Sequence, residues 1–514
     1  MSVVESENTK YKRMAKNAGM LYFRMLLTMG VALYTSRVVL QTLGVDDFGI
    51  YHVVAGFVSM LGFLHGAMSS ATQRFLAFEL GKSGEKDMPG IFSMSINIHI
   101  LIALVVLILG ETIGLWFVET QMTIPAERML AAQWVFHISL VSFMVTIVSV
   151  PYNALIIANE KMSVFAWVSI FDVTLKLLIV FMLGWFGFDK LILYALLSLC
   201  VVFIIFLIYR AYCHSKFKDS QFKLYWDKAL FKVMMSYTGW NLWGNVAAVM
   251  SGQGVNILLN IFFGPAVNAA RAIAMQVSAA LNSFVQNIQL AVNPQIIKSY
   301  AESNMEFMYR LVCYGAKYNF FVLLLLSLPV LNNIEVMLQV WLGMVPEHTN
   351  IFTELIIITI LIDSLSPSLM TAAQATGRIK LYQFVVGGLL LLNVPISYFV
   401  LKMGYEPYIV FYVAISLSVI ALIARIYLIS ALIGMKKAMY IIDTLIPVSL
   451  VTLVVLGVNS FLNVNLTNPL LNFVISVLLT GMLVICAVLF VGLNKREKAM
   501  LLKMSFNLKK KLWK

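Results

Sequence analysis

The stretch AARAIAMQVSAALNSFVQNIQLAVN, residues 269–293, places one arginine and a series of amides in sequence that is otherwise apolar. At about 100° per residue, Asn268, Ser278, Asn282, Gln286, Gln289 and Asn293 share with Arg271 a stripe about 80° wide on a helix. The preceding apolar run does the same with Asn241, Asn245, Gln253, Asn256 and Asn260, spread over about 120°. Amides both donate and accept hydrogen bonds, so two such walls suit a hydroxyl-rich solute in water. Neither stripe can face hydrocarbon cheaply. Single amides also serve as glue between helices, but two adjacent stripes running nearly whole spans favour a wet wall.

Further cations and carboxylates lie in oily sequence. Arg24 has Thr28, Thr35 and Thr42 within about 40° of it around one helix. A guanidinium there can grip a phosphate through two parallel bonds. Arg37 lies about 220° around the same helix and is a secondary candidate, better suited to a structural or outer-interface anchor. Asp172, Glu354 and Asp363 are the carboxylates placed to carry a coupling ion, although Asp172 and Lys176, four residues apart, can neutralise each other. Lys317 reads as a snorkelling lysine. His65, His99 and His137 are scattered, and the four cysteines show no CxxC spacing, so neither a metal site nor a cofactor is expected. GKS at residues 81–83 lacks the glycine of a phosphate-binding loop, with Leu76 in its place. No catalytic constellation occurs, which argues against an enzyme.

These groups need helices to hold them. The chain has 514 residues, 61% hydrophobic and 12% charged, with a mean hydropathy of +0.88. The apolar blocks are about 20 residues long, as needed to cross a hydrocarbon core. The fold class is therefore an all-α polytopic membrane protein of about fourteen transmembrane helices: 20–42, 48–72, 91–118, 129–150, 162–184, 190–213, 233–262, 266–291, 311–333, 351–374, 380–401, 406–431, 441–462 and 469–492. With both termini cytoplasmic, 29 of the 37 basic residues fall in or beside cytoplasmic segments and three lie outside, a positive-inside pattern. The net charge of +13 then reflects topology and attraction to anionic membrane lipids, not nucleic acid.

The chain also repeats itself. LGVDDFGIYHVVAGF (43–57) returns as FGPAVNAARAIAMQV (263–277), with Gly44 on Gly264 and Tyr51 on Arg271. PYNALIIANEKM (151–162) returns as PSLMTAAQATGRI (367–379), an offset of 217 that sets Ala158 on Ala375, Lys161 on Arg378 and Asp189 opposite Glu406. Six crossings restore the starting side, so the halves share one orientation, and such parallel repeats enclose a cavity near the midplane. The expected organisation is an N-lobe (1–213), a cytoplasmic amphipathic linker (214–232), a C-lobe (233–435), two further helices (436–492) and a basic tail (493–514). The linker spacing suits a surface helix.

LGVDDFGIYHVV after a first span ending TSRVVLQ, with NEKM opening span 5, resembles the Wzx-type polysaccharide flippases. They form part of the multidrug/oligosaccharidyl-lipid/polysaccharide exporter superfamily. The resemblance covers about residues 15–435. It implies two six-helix lobes around a central cavity lined by helices 1, 2, 7 and 8, in a bacterial inner membrane. It implies as cargo an undecaprenyl-pyrophosphate-linked oligosaccharide for O-antigen, capsule or exopolysaccharide, moved by alternating access. H+ or Na+ as coupling ion and other polysaccharide-assembly proteins as partners complete the expectation. The alternatives are a cation-coupled exporter of the multidrug and toxin extrusion branch and, behind it, a polysaccharide polymerase or ligase.

Overall fold

The computed structural model describes residues 2–499, leaving out 60, 83–84, 121, 123, 184–186, 218–220, 224, 343–344, 461–468 and 496. Among the described residues every regular element is helical. Eleven helical stretches among the described residues are long and apolar enough to cross a membrane, or twelve if Asp47–Val58 and Gly62–Gly81 form one broken span. The two remaining expected spans lie on helices of 42 and 37 residues, the first carrying Arg24 and Arg37 and the second Arg271.

Contacts divide the chain into two compact units, the first comprising residues up to Val246 with Leu290–Asn304, the second Ala247–Gln289 with the chain from Met305 on. The first unit begins with α1 (Ser2–Leu43), α2 (Val45–Ser59), α3 (Gly62–Gly81) and α4 (Met88–Leu109). It continues with α5 (Leu115–Thr120), α6 (Met129–Ala158), α7 (Met162–Met182) and α8 (Lys190–Lys216). Its core is packed by Val54, Ala132, Val135, Phe136, Ile147 and Leu191. Two long helices, α9 (Lys228–Phe263) and α10 (Pro265–Ala301), contribute residues to both units.

The second unit adds α11 (Met305–Asn332), α12 (Ile334–Leu342), α13 (Thr349–Asp363), α14 (Pro367–Thr376) and α15 (Lys380–Leu391). It ends with α16 (Asn393–Lys402), α17 (Ile409–Ile433), α18 (Lys437–Tyr440), α19 (Ile446–Asn459) and α20 (Pro469–Ala487). Leu259, Ala270, Ala274, Leu323, Phe352 and Ile357 are at its core.

The repeat is visible in the backbone. Gly44 (φ +82°) and Gly264 (φ +80°) both adopt the left-handed conformation, stopping α1 and α9 so that the next helix can leave at once. The offset of 217 also sets Glu160 (φ +59°) on Gly377 (φ +74°). Gly377 takes this conformation without strain, whereas a residue with a Cβ does so at a cost of about 1–2 kcal/mol.

Glu160 is kept there by its partners. Its side chain is 1% exposed and meets Lys298 Nζ at 2.6 Å and Arg13 Nε at 2.6 Å. Asn17 donates to its carbonyl. Burial pushes the Glu160 carboxyl upward, but the Lys298 ammonium, which also hydrogen-bonds to it, together with the charge of Arg13 more than reverses this and leaves it below the ordinary carboxylate range. The turn between α6 and α7 is thereby tied to α1 and to the end of α10.

The segment between α8 and α9 departs from expectation. Its described residues 217, 221–223 and 225–227 are not helical. Instead Lys223 N–H donates to Ser93 and Asn97 donates to the carbonyl of Tyr225, so backbone groups that a surface helix would satisfy internally are met by α4.

Two outcomes are expected. Glu160→Gln should cost about 3 kcal/mol of stability, because it leaves buried Lys298 without its counter-charge, as thermal unfolding in detergent would report. Since the folded-state pKa is depressed, this stabilisation is present above the unfolded carboxylate value near 4 and is lost as pH falls through the folded value. Gly44→Ala and Gly264→Ala, where an added Cβ meets nothing within 4 Å, should each cost about 1–2 kcal/mol from backbone strain alone.

Candidate functional site

The most chemically varied site lies within the second unit. Helix α10 sorts its residues by spacing. Ala270, Ala274, Leu281 and Val285 pack into the core, while Arg271, Met275, Ser278 and Asn282 line a cavity of about 300 Å³. Ser251 and Gly252 of α9, Thr359 and Asp363 of α13, Asn393 at the start of α16 and Ser418 of α17 complete the polar lining. The guanidinium of Arg271 is held in place: Nη2 donates to the Gly252 carbonyl at 2.9 Å and Nη1 to Asn256 Oδ1 at 3.2 Å. Asn282 donates to Ser278 Oγ, and Asn393 to Ser251 Oγ. Each acceptor is neutral, so the arginine keeps its positive charge available to the cavity.

Asp363 stands where a span breaks. The stretch Thr349–Thr376 is one apolar span, yet α13 ends at Asp363 and α14 begins at Pro367. Proline has no N–H to continue the ladder, and Leu365 and Ser366 bond three residues back, to the Ile362 and Asp363 carbonyls, so DSLSP interrupts the α-helix within the apolar span. Exposed carbonyls there would be costly in lipid. The fold supplies donors: Tyr440 Oη to the Leu365 carbonyl at 2.7 Å and Asn319 Nδ2 to the Ser364 carbonyl at 3.4 Å. Arg425 Nη1 donates to Ser366 Oγ at 2.9 Å. The Asp363 side chain remains exposed to the cavity, with the Ser418 hydroxyl hydrogen-bonded to it and the Arg425 charge nearby.

The other expected site residues are distributed. Gln289 of the α10 stripe does not line this cavity; its side chain donates to Ser368 Oγ in buried packing. Gln286 is exposed and outside the lining. In α9, Asn256 reaches the cavity through Arg271, whereas Asn241 is buried beside the Tyr237 hydroxyl. Asn245 reaches toward the Phe63 carbonyl of α3 at 3.5 Å. Glu354 is half-buried on α13 and is not part of the lining.

In the first unit, Arg24 stacks over the Phe165 ring at 4.7 Å and lies near Tyr209. Tyr209 lines a second, smaller cavity of about 210 Å³ together with His65, Asn153, Asp172 and Lys176. There Asp172 is paired with Lys176 at 2.8 Å. Tyr51, the counterpart of Arg271, packs edge-on against Tyr194. The Arg37 side chain lies outside the described residues.

Two residues were misread from sequence. Lys317 does not snorkel: it is fully buried and ion-paired with Glu497 at 2.6 Å. Arg425, grouped by sequence with basic residues beside the cytoplasmic loops, lies within α17 and faces the helix break. Its only sequence signal is a position seven residues inside an apolar run.

No protein-family model matches the sequence, and no curated protein matches it. Solved structures of like fold are found. An outward-facing multidrug resistance MATE family transporter of the MOP superfamily superimposes with a TM-score of 0.69 at 13% identity, covering 82% of this chain and 96% of its own. The likeness is one of fold. A MATE transporter of Vibrio cholerae gives a TM-score of 0.62 at 16% identity, over 84% and 98% of the two chains. A MOP superfamily transporter of Pyrococcus furiosus, described by a reversed polarity of its binding pocket, gives 0.64 at 12% identity, over 82% and 97%. The chain is thus an all-helical, multi-pass protein with a MATE-like transporter fold.

Tyr440→Phe should destabilise the protein by about 1–2 kcal/mol, because it leaves the Leu365 carbonyl buried without a donor. Thermal unfolding of the purified variant against the parent would measure the loss.

Proposed function

We propose that the chain is a secondary transporter working by alternating access, with the charged group of its cargo entering the cavity of α9, α10, α13 and α17. The observation that carries this reading is that a fixed guanidinium, Arg271, and an exposed carboxylate, Asp363, open onto the same polar cavity. A permanent cation can hold an anionic group, and a carboxylate at a helix break can exchange H+ or Na+. One cavity then has the two properties that coupled transport needs.

For the cargo, the comparisons lend more support to a cation-coupled multidrug exporter. Solved structures of like fold are named as multidrug resistance MATE transporters, and Asp363 supplies the acidic group that a cationic drug or coupling ion requires. The second reading is a flippase for undecaprenyl-pyrophosphate-linked oligosaccharide in a bacterial inner membrane. It is favoured by Arg271 standing among Asn282, Asn393, Ser278 and Thr359, a cation surrounded by groups that match phosphate and hydroxyls. Arg24 is the corresponding cation proposed for the first unit.

Proteoliposome transport separates the two. Under the exporter reading, Asp363→Asn loses at least about tenfold of ion-driven drug movement while Arg271→Gln retains it. The flippase reading expects the reverse sensitivity: Arg271→Gln lowers translocation of a pyrophosphate-linked lipid by about tenfold, as loss of a charge-assisted hydrogen bond implies. Full activity of both variants toward both cargoes would remove the cavity from the transport mechanism.

A further inference from the structure

The second unit holds another pocket, of about 390 Å³, lined chiefly by Glu306, Arg310, Tyr314, Asp443, Asn494 and Lys495. Three pieces of chain meet there: the first turns of α11, the π-helical turn Ile441–Leu445, and the residues following the π-helical turn Val488–Gly492. All three lie at helix ends that the distribution of basic residues assigns to the cytoplasmic face. A π turn inserts an extra residue into a helix and is a frequent mark of functional sites. Asp443 occupies the centre of this one.

Asp443 is half-buried within Lys437–Asn459, a stretch apolar enough to span a membrane. Among the described residues no ion pair involves it, although a carboxylate at such depth calls for a cation. Around the same pocket stand Arg310, which pairs with Glu306 at 3.5 Å among other contacts, and the exposed Lys495. The wall behind is neutral and fixed. Lys317 and Glu497 pair at 2.6 Å beneath Tyr314 and Tyr318, and Asn494 and Glu497 cap each other's backbone at 2.7 and 2.9 Å. The pocket therefore presents two cations and two carboxylates, with the buried pair adding no net charge.

We propose that this pocket binds a phosphoethanolamine group, with the phosphodiester between Arg310 and Lys495 and the ammonium at Asp443, Glu306 standing at the mouth. Balanced lining charge disfavours a purely anionic or purely cationic ligand, because one pair of protein charges would be left facing a like charge. A primary ammonium donates hydrogen bonds to carboxylates, whereas a quaternary one has none to give, so ethanolamine is preferred to choline. The position at the membrane-emergent ends of helices makes a phospholipid the natural source. Free glycerophosphoethanolamine carries the same group.

The full chain in detergent, exchanged against phosphatidylethanolamine, phosphatidylcholine, phosphatidylglycerol or glycerophosphoethanolamine, reports the ligand by native mass spectrometry. Phosphatidylethanolamine should be held about tenfold more tightly than the other two lipids, the scale of one charge-assisted hydrogen bond. Asp443→Asn and Lys495→Gln should each remove that preference. Lys495 is exposed, so its replacement tests the site without threatening the fold. Asp443-dependent retention of glycerophosphoethanolamine, with no lipid preferred, would support the same headgroup from a soluble source. Equal retention of the three lipids together with no binding of glycerophosphoethanolamine would overturn the proposal, as would unchanged preference in both variants.

Discussion

A charge surrounded by hydrocarbon must be paired, stacked or wet, and that constraint orders this molecule. Lys317 meets Glu497, Asp172 meets Lys176, and Arg24 lies over an aromatic face. Arg271 and Asp363 differ: both face the second unit's cavity, and the acceptors that hold Arg271 are neutral. The first three arrangements are complete in themselves. In that cavity ionisable groups retain capacity for something that comes and goes, which is why the proposed transport chemistry centres on it.

A broken helix borders that cavity. The interruption at DSLSP frees backbone carbonyls within an apolar span; Asn319 and Tyr440 donate to two of them, and Arg425 holds the Ser366 hydroxyl. The break leaves Asp363 at a helix end beside Ser418. Discontinuous helices are a recurring means of building ion and substrate sites in transporters. Here the device costs one proline and is stabilised by side chains far away in sequence.

The repeat shows how one backbone plan is adapted twice. Gly44 and Gly264 make the same left-handed turn, a match already implied by aligning LGVDDFG with FGPAVNA. At the second pair the solutions diverge. Gly377 turns freely, whereas Glu160 bears the strain and uses its carboxylate to gather Arg13 and Lys298. Helix placement, the turn glycines, Arg271 and Asn282 on one face, and the Asp172–Lys176 pair were all legible, because each follows from local periodicity or spacing. Glu497 as the partner of Lys317, 180 residues away, was not. Nor could the stripe on α10 reveal that Gln289 faces Ser368 in dry packing while Asn282 faces the cavity. Periodicity fixes which residues share a face; only the neighbouring helix decides what that face meets.

The most direct measurement is chemical access to the α10 face in the membrane. In a background without the four native cysteines, Asn282→Cys and Ser278→Cys should react with a small, membrane-impermeant thiol reagent, and Gln289→Cys should not. If Asn282→Cys is as unreactive as Gln289→Cys, the cavity around Arg271 and Asp363 is closed to water and cannot serve a polar cargo.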